Sequence, residues 1–479
     1  MKGVRAGLLI SISERYLLAA VALASSILVA RILTPEEIGI YSVSVAVIAL
    51  AQVLRDFGIG SFLVQAEKLT EKLIRTAFGL SLLVGSILFF LVFILSPIAA
   101  DFYNEPALIN TLLISSANFL ILPFCSISMS ILRREMQFRR IALINIAAAC
   151  AGAISVVAAA TYGAGPNSMA ISSIVASLTT GIGTWLARTN HTFLMPSLSE
   201  WRDLLKYGSQ ATVASAVTTL AVNGNDLVLG KVLGFGPVAI FSRAQGLMNL
   251  FHRDLMEAVR NVAFPAYAQA HREGLPLEDK YIASVTAITA IAWPFYGMLA
   301  IFPLEIVRTL FGTQWDASIP LVPIFALAGA ISAMSNLAQP LLVASGRIDL
   351  ATRAELLVQP IRLAIIATTA VVFESVFSCA IAYLVTMAVA TPIFYWFKGL
   401  GVKNDIKGLA FGLAKSALVT LGTLIIPAAY AYSAGVNRDT PIRTEELILI
   451  VILSIGSWFL SLKHSRHLLI DEISIKFKN

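Results

Sequence analysis

Charge is what this chain has least of. Only 13% of its 479 residues are Asp, Glu, Lys or Arg, against about 25% in an ordinary soluble domain. That shortage excludes a disordered chain, which combines low hydrophobicity with high net charge. A soluble enzyme is excluded as well, because 57% hydrophobic residues cannot be hidden in one core without large exposed apolar patches. Cysteine is nearly absent: Cys125, Cys150 and Cys379 are the only three, each in an apolar run. No CxxC or Cys/His cluster accompanies them, so neither a disulfide frame nor a zinc site is indicated, and they read as small buried hydrophobes. Walker A, HExxH and GxSxG signatures are missing, as is any metal-spaced set of carboxylates. The expectation is a protein that is not an enzyme and holds no cofactor or metal.

What the chain has in abundance is long apolar runs. Mean hydropathy is +0.81, and a helix needs roughly 20 apolar residues to cross a bilayer. Fourteen runs qualify, at approximately 9–31, 38–57, 77–100, 107–131, 141–162, 167–187, 206–230, 237–261, 281–302, 317–345, 354–373, 376–397, 408–432 and 445–462. Lys2 and Arg5 precede the first, which contains Ala22-Leu23-Ala24, a sequence a signal peptidase accepts. Its length and the presence of Glu14 and Arg15 favour a retained first helix. The fold class expected is an all-α polytopic membrane protein with about 14 transmembrane helices.

Basic residues orient those helices. With the N-terminus inside, only Arg31, Lys231, Arg308, Arg438 and Arg443 fall on the outside, and Arg243, Arg253, Arg260, Arg362 and Lys415 fall within spans. The other 25 of the 35 Lys and Arg lie inside, as the positive-inside rule requires. Both termini are therefore expected in the cytoplasm of a bacterial inner membrane protein. The formal charge of +7 belongs with basic loops facing anionic lipid, and no nucleic-acid partner is expected.

The chain also repeats itself. Ala30–Ser42 (ARILTPEEIGIYS) and Gly230–Ser242 (GKVLGFGPVAIFS) match at an offset of 200, with Leu33/Leu233, Ile40/Ile240 and Ser42/Ser242 identical. Ala107–Ile109 echoes Ala317–Ile319, and Arg134–Arg140 echoes Arg347–Arg353. Two parallel six-helix repeats follow, around a central cavity, with two extra C-terminal helices. The expected division is an N-lobe over 1–190, a cytoplasmic linker over 191–204, a C-lobe over 205–400, and spans 13 and 14 with a short tail over 401–479.

The repeated motifs carry a resemblance. Leu33-Thr34-Pro35-Glu36-Glu37, Arg55-Asp56-Phe57-Gly58, Leu132-Arg133-Arg134 and Asn225-Asp226 through Gly234, then Ile240-Phe241-Ser242, are similar to motifs of Wzx-type polysaccharide flippases. These form the polysaccharide transporter branch of the multidrug/oligosaccharidyl-lipid/polysaccharide exporter superfamily. The resemblance covers most of residues 1–400. It implies transport of undecaprenyl-diphosphate-linked oligosaccharide from the inner to the outer leaflet by alternating access, in a protein that acts as a monomer. A polysaccharide polymerase and export machinery are the implied partners, besides membrane lipids. A lipid II flippase and a drug/cation antiporter of the same superfamily are the alternatives.

An ionisable group at mid-span costs about 2.5–3.5 kcal/mol on insertion scales, so those present need a reason. In the eighth span Arg243, Arg253, Asp254, Glu257 and Arg260 share about 120° of a helical wheel. Ile240, Leu247, Met248, Phe251, Leu255 and Val259 lie opposite, with Gln245 and His252 as exceptions. Arg243, Arg253, Arg362 and Lys415 are the candidates for a diphosphate headgroup, which suits the forked donors of Arg. The competing reading is internal pairing, since Arg253 and Glu257 are spaced i,i+4. Arg260, near the inner end, reads as snorkelling. Glu14, Arg15, Asp226 and Glu257 are the candidates for gating or for coupling to H+ or Na+. Asn223 and Gly224 in the seventh span, and Pro360 in the eleventh, are the candidate hinges.

Overall fold

The structure is a computed structural model that describes residues 2–56, 59–65, 69–187, 195–199, 219–220, 223–435, 442–467 and 469. Among them there is no strand. In chain order the helices are α1 (Lys2–Ile32), α2 (Pro35–Asp56), α3 (Ile59–Gln65), α4 (Glu71–Tyr103), α5 (Ala107–Ser116), α6 (Asn118–Arg134), α7 (Phe138–Thr161) and α8 (Asn167–Leu186). Then come α9 (223–232), α10 (Phe235–Asn249), a π-helical turn (Leu250–Leu255), α11 (Met256–Arg272), α12 (Leu277–Ile301) and α13 (Pro303–Leu310). A 3-10 turn (Thr313–Leu321) leads to α14 (Val322–Ser335), α15 (Ala338–Ala344), α16 (Ile348–Phe373), α17 (Val376–Gly401), α18 (Ile406–Ser433) and α19 (Thr444–His464).

Twelve helical segments among the described residues are long and apolar enough to cross a membrane. They coincide with twelve of the fourteen expected spans. The seventh expected span, 206–230, falls largely outside the described residues. The eighth is helical throughout, but its charges set it apart from the rest. Outward side chains such as Phe90, Ile94, Ile154, Leu421 and Leu460 are apolar and more than half exposed, as lipid contact demands. Local sequence sets the helix ends. Thr70 accepts from the Leu73 N–H to start α4 (3.1 Å), and Asp405 accepts from the Gly408 N–H to start α18 (3.0 Å), each capping an orphan donor.

The chain forms two compact units, Met1–Ala239 and Ile240–Asn479. In the first, α7 packs on α1 and α8, and α4 packs on α5 and α6. Ile59, Leu63, Ile74, Phe78, Ile127 and Ile131 join α3, α4 and α6. The first copy of the repeated motif and the second as far as Ala239 lie in this unit, and they touch. Thr34 and Glu37 form a reciprocal capping box: the Thr34 N–H donates to the Glu37 carboxylate (2.8 Å) and the Glu37 N–H to the Thr34 hydroxyl (3.3 Å). Glu36 Oε2 accepts from the Gly236 N–H at 2.8 Å, across 200 positions, and so caps α10. Gly39 is required here, because a Cβ would stand 1.9 Å from the Phe235 carbonyl oxygen. Lys231 donates to the Phe102 carbonyl, with its Nζ 4.5 Å from the centre of that ring.

In the second unit α12 packs on α14 and α18, α16 and α14 pack on α17, and α18 packs on α19. The two added C-terminal helices are thus integral to this unit. Lys398 on α17 is fully buried and forms an ion pair with Glu278 on α12. Its Nζ lies 4.4 Å from the Tyr281 ring centre, and Glu278 Oε1 also accepts the Asp405 N–H (3.0 Å). Removing one partner of such a buried pair typically costs about 3–5 kcal/mol. On α18, Ser416 donates to the Thr286 carbonyl (2.9 Å) and accepts from the Thr289 hydroxyl (2.9 Å). His467, just past α19, is buried and places Nε2 3.4 Å from Ser416 Oγ. Burial, and then the Lys415 charge, pull its pKa below the ordinary histidine value.

Candidate functional site

The candidate site is built on the run α10–π turn–α11. Its buried residues follow α-helical spacing through Phe241, Ala244, Leu247, Met248 and Phe251. The next fully buried residue is Met256, five positions on, while Leu255 is 38% exposed. The extra residue is the π turn at Leu250–Leu255, a feature that often marks functional positions. The Tyr296 hydroxyl donates to the Met248 carbonyl (3.3 Å) just before it.

Arg243, on α10, lies against two rings. Its Cζ is 4.6 Å from the Phe311 ring centre and 4.5 Å from that of Trp315. A bidentate Arg308–Asp316 pair (2.9 and 2.7 Å) braces the turn that carries those rings. Ring contact on the guanidinium faces is attractive and leaves its donors radiating in the plane.

Further along the same run, three elements converge. Arg260 Nη1 on α11 donates to Asn336 Oδ1 (2.9 Å), at the end of α14. The other end of that amide, Asn336 Nδ2, is 3.4 Å from His252 Nδ1 in the π turn. Arg362 on α16 acts electrostatically on His252, as does Arg260. The Arg362 Cζ lies 5.8 Å from the Tyr383 ring centre. Arg260 and His252 thus meet at one amide, with the Arg362 charge acting on the imidazole; guanidinium groups of this kind form charge-assisted hydrogen bonds with anions.

The structure distributes the other expected residues elsewhere. Lys415 sits 4.8 Å from the Phe411 ring centre, one turn earlier on α18, and acts on His467. The Arg253 and Asp254 side chains lie outside the described residues. Glu257 is exposed on α11. In the first unit, Glu14 on α1 accepts from Asn145 Nδ2 on α7 (2.7 Å), with Arg15 half-buried beside it. Asn223, Gly224 and Asp226 lie in the helical stretch α9, where Asn223 Nδ2 donates to the Thr219 carbonyl (3.0 Å). Pro360 sits inside α16, which runs unbroken from Ile348 to Phe373. Sequence reasoning missed Asn336 and the roles of His252 and Arg260. A lone Asn in an otherwise apolar span was the signal available for Asn336. Among the described residues no group of His, Cys, Asp or Glu could hold a metal ion.

A many-helix body with twelve candidate spans among the described residues defines a polytopic membrane protein. The chain belongs to the family described as polysaccharide biosynthesis protein, which it matches over residues 28–320, more than half its length. The lipopolysaccharide biosynthesis protein WzxC of Escherichia coli (strain K12) is 26% identical over 328 residues, covering 67% of this chain and 66% of WzxC, just under two thirds of that protein. The teichuronic acid biosynthesis protein TuaB of Bacillus subtilis (strain 168) is 22% identical over 412 residues, covering 85% and 84% of the two chains. The fold is similar to that of the lipid II flippase MurJ in an inward closed conformation, with a TM-score of 0.76 at 14% identity over 97% of this chain and 99% of MurJ. An inward-facing MATE family multidrug transporter gives a TM-score of 0.62 at 16% identity over 85% and 98%. With its twelve candidate spans and these relatives, the protein is a multi-pass protein of the bacterial inner membrane.

Proposed function

We propose that the protein moves an undecaprenyl-diphosphate-linked oligosaccharide from the inner to the outer leaflet, as a monomer working by alternating access. Fourteen spans with both ends cytoplasmic complete the proposed topology. The observation that carries the substrate class is the grouping of Arg260, bonded to Asn336, with His252 and the Arg362 charge that acts on it. A diphosphate brings two negative charges and many acceptor oxygens, which guanidinium groups meet with charge-assisted hydrogen bonds. An apolar groove of about 460 Å3 between α12, α14 and α18, lined by Trp293, Leu327, Ile331, Leu421 and Leu424, suits part of the prenyl tail. Coupling to a proton or sodium gradient uses Glu14, whose carboxylate is held by Asn145 in the first unit.

A lipid II flippase would share this headgroup chemistry, and the two are separated by the sugar. The cluster weighs against a drug/cation antiporter, which would need acidic groups at this place. The test is a flipping assay in proteoliposomes, with labelled undecaprenyl-diphosphate oligosaccharide in the inner leaflet and an impermeant lectin outside. Protein-dependent exposure is expected, and Arg362→Ala should lower it at least about tenfold. Efflux of organic cations, with no exposure of any lipid-linked sugar, would overturn the proposal.

A further inference from the structure

The bridge through Asn336 has a polarity that can be read from its donors. Arg has five N–H donors and no acceptor, so the Asn336 atom facing Arg260 is its carbonyl oxygen, Oδ1 (2.9 Å). The amide NH2 therefore points to His252, and its target, Nδ1 (3.4 Å), carries a lone pair. This arrangement fits the tautomer of His252 that has its proton on Nε2. The charged groups acting on it are Arg260 on the same helical run and Arg362 on α16, with Glu257 on the next turn exposed.

Protonating Nδ1 reverses that polarity. An Nδ1–H facing the Asn336 NH2 sets donor against donor. The amide must then turn over, presenting Oδ1 to His252 and its NH2 to Arg260. That second meeting is again donor against donor, so the Arg260–Asn336 bond cannot persist. One N–H bond forms, with the proton taken from water, and one hydrogen bond changes owner.

We propose that His252, Asn336 and Arg260 form a proton-operated relay, in which a proton on His252 turns the Asn336 amide and transfers Arg260 from Asn336 to the incoming diphosphate. The inference rests on the functional reading above and deepens it by naming how the same site is regulated. The bound diphosphate, placed between two guanidinium groups and an imidazolium, in turn holds the proton. Linkage makes the effect reciprocal: a proton that tightens the anion is tightened by it to the same degree. The π turn contributes by putting His252 on the side of Asn336, where a regular α-helix would turn it towards the apolar face.

The experiment uses the full-length protein in lipid nanodiscs. The probe is geranyl-diphospho-N-acetylglucosamine, whose diphosphate diester keeps its charge across the pH range used. Calorimetric titration at pH 6, 7 and 8, in two buffers of different ionisation enthalpy, reads both affinity and protons taken up. For the wild type, binding is expected to tighten about tenfold from pH 8 to pH 6 with proton uptake on binding. His252→Gln and Asn336→Ala are expected to bind with little pH dependence. A wild type that binds without proton uptake overturns the relay while the anion site stands, and this readout depends on no variant's folding. Undiminished pH dependence in Asn336→Ala shows that His252 acts only as an added charge, which also overturns the relay. No binding by the wild type at any pH overturns both the relay and the diphosphate reading beneath it.

Discussion

Helix α2 and the run α10–α11 begin from the same motif and end as opposites. Both start at a tight turn, and the two starts meet through Glu36 and Gly236. Beyond it α2 carries no charged residue between Glu37 and Arg55 and stays α-helical throughout. Its counterpart takes on Arg243, His252, Arg253, Asp254, Glu257 and Arg260, and is interrupted by a π turn. The shared part is the part that packs, where a Cβ on Gly39 would clash with the Phe235 carbonyl. The divergent part holds groups that cost energy in a membrane and that structure alone does not require. A repeat thus separates what the fold needs from what the proposed transport would need.

The comparison can be erased first. Replacing Arg260 on α11 and Arg362 on α16 together by Leu removes two of the charges that set this region apart from α2. Transport in the lectin assay should fall about a hundredfold, since two charge-assisted contacts are worth about 1.5–3 kcal/mol each. The melting temperature should hold or rise, because well-packed apolar replacements of buried charges are often neutral or stabilising. Gly39→Val attacks the shared part instead. Overpacking against backbone should cost about 1–3 kcal/mol or more, seen as a clear fall in melting temperature in nanodiscs. Glu36→Ala removes only the cap on α10 and should cost about 1 kcal/mol, a smaller fall in the same melt.

The smallest effect concerns the added helices, which have no partner in the first copy. His467 is held neutral by burial and by Lys415, so its folded pKa lies below its unfolded one. Its contribution is complete above about pH 6.5 and is lost as pH falls towards the folded value, where the unfolded chain binds more protons. The wild-type melting temperature should drop between pH 7 and pH 5, and His467→Phe should blunt that drop.

Hydropathy made most of the fold legible because a membrane span is a property of twenty consecutive residues. Twelve expected spans reappear as helices, and the two stretches paired by the repeat, 30–42 and 230–242, meet through Glu36 and Gly236. The site was harder to read. A wheel at 100° per residue assumes one helical register from Arg243 to Arg260. The π turn inserts one residue, so the wheel slips by about 100°. Within that turn Leu255, expected on one face with Phe251 and Met248, is exposed where those two are buried, and Met256 is buried instead. The slip explains why His252 looked like an exception on the apolar face. Asn336 lies 76 positions from Arg260, and such a pairing leaves no mark on local spacing. Lys415 was grouped with the arginines by charge alone, yet it lies on α18 beside Phe411 and His467.

The buried pair between Glu278 and Lys398 sets an order of events during synthesis. The two residues are 120 positions apart. At about 5–20 residues per second, Glu278 leaves the ribosome roughly 6–24 s before its partner. Through that interval α12 is already in the bilayer without the ammonium that neutralises its carboxylate. The insertion machinery must therefore shelter α12, or leave its Glu278 end at the aqueous surface, until α17 arrives. Lys398 in turn enters a place where its counter-charge is already waiting, so arrival of α17 neutralises the Glu278 end of α12 before α18 is added.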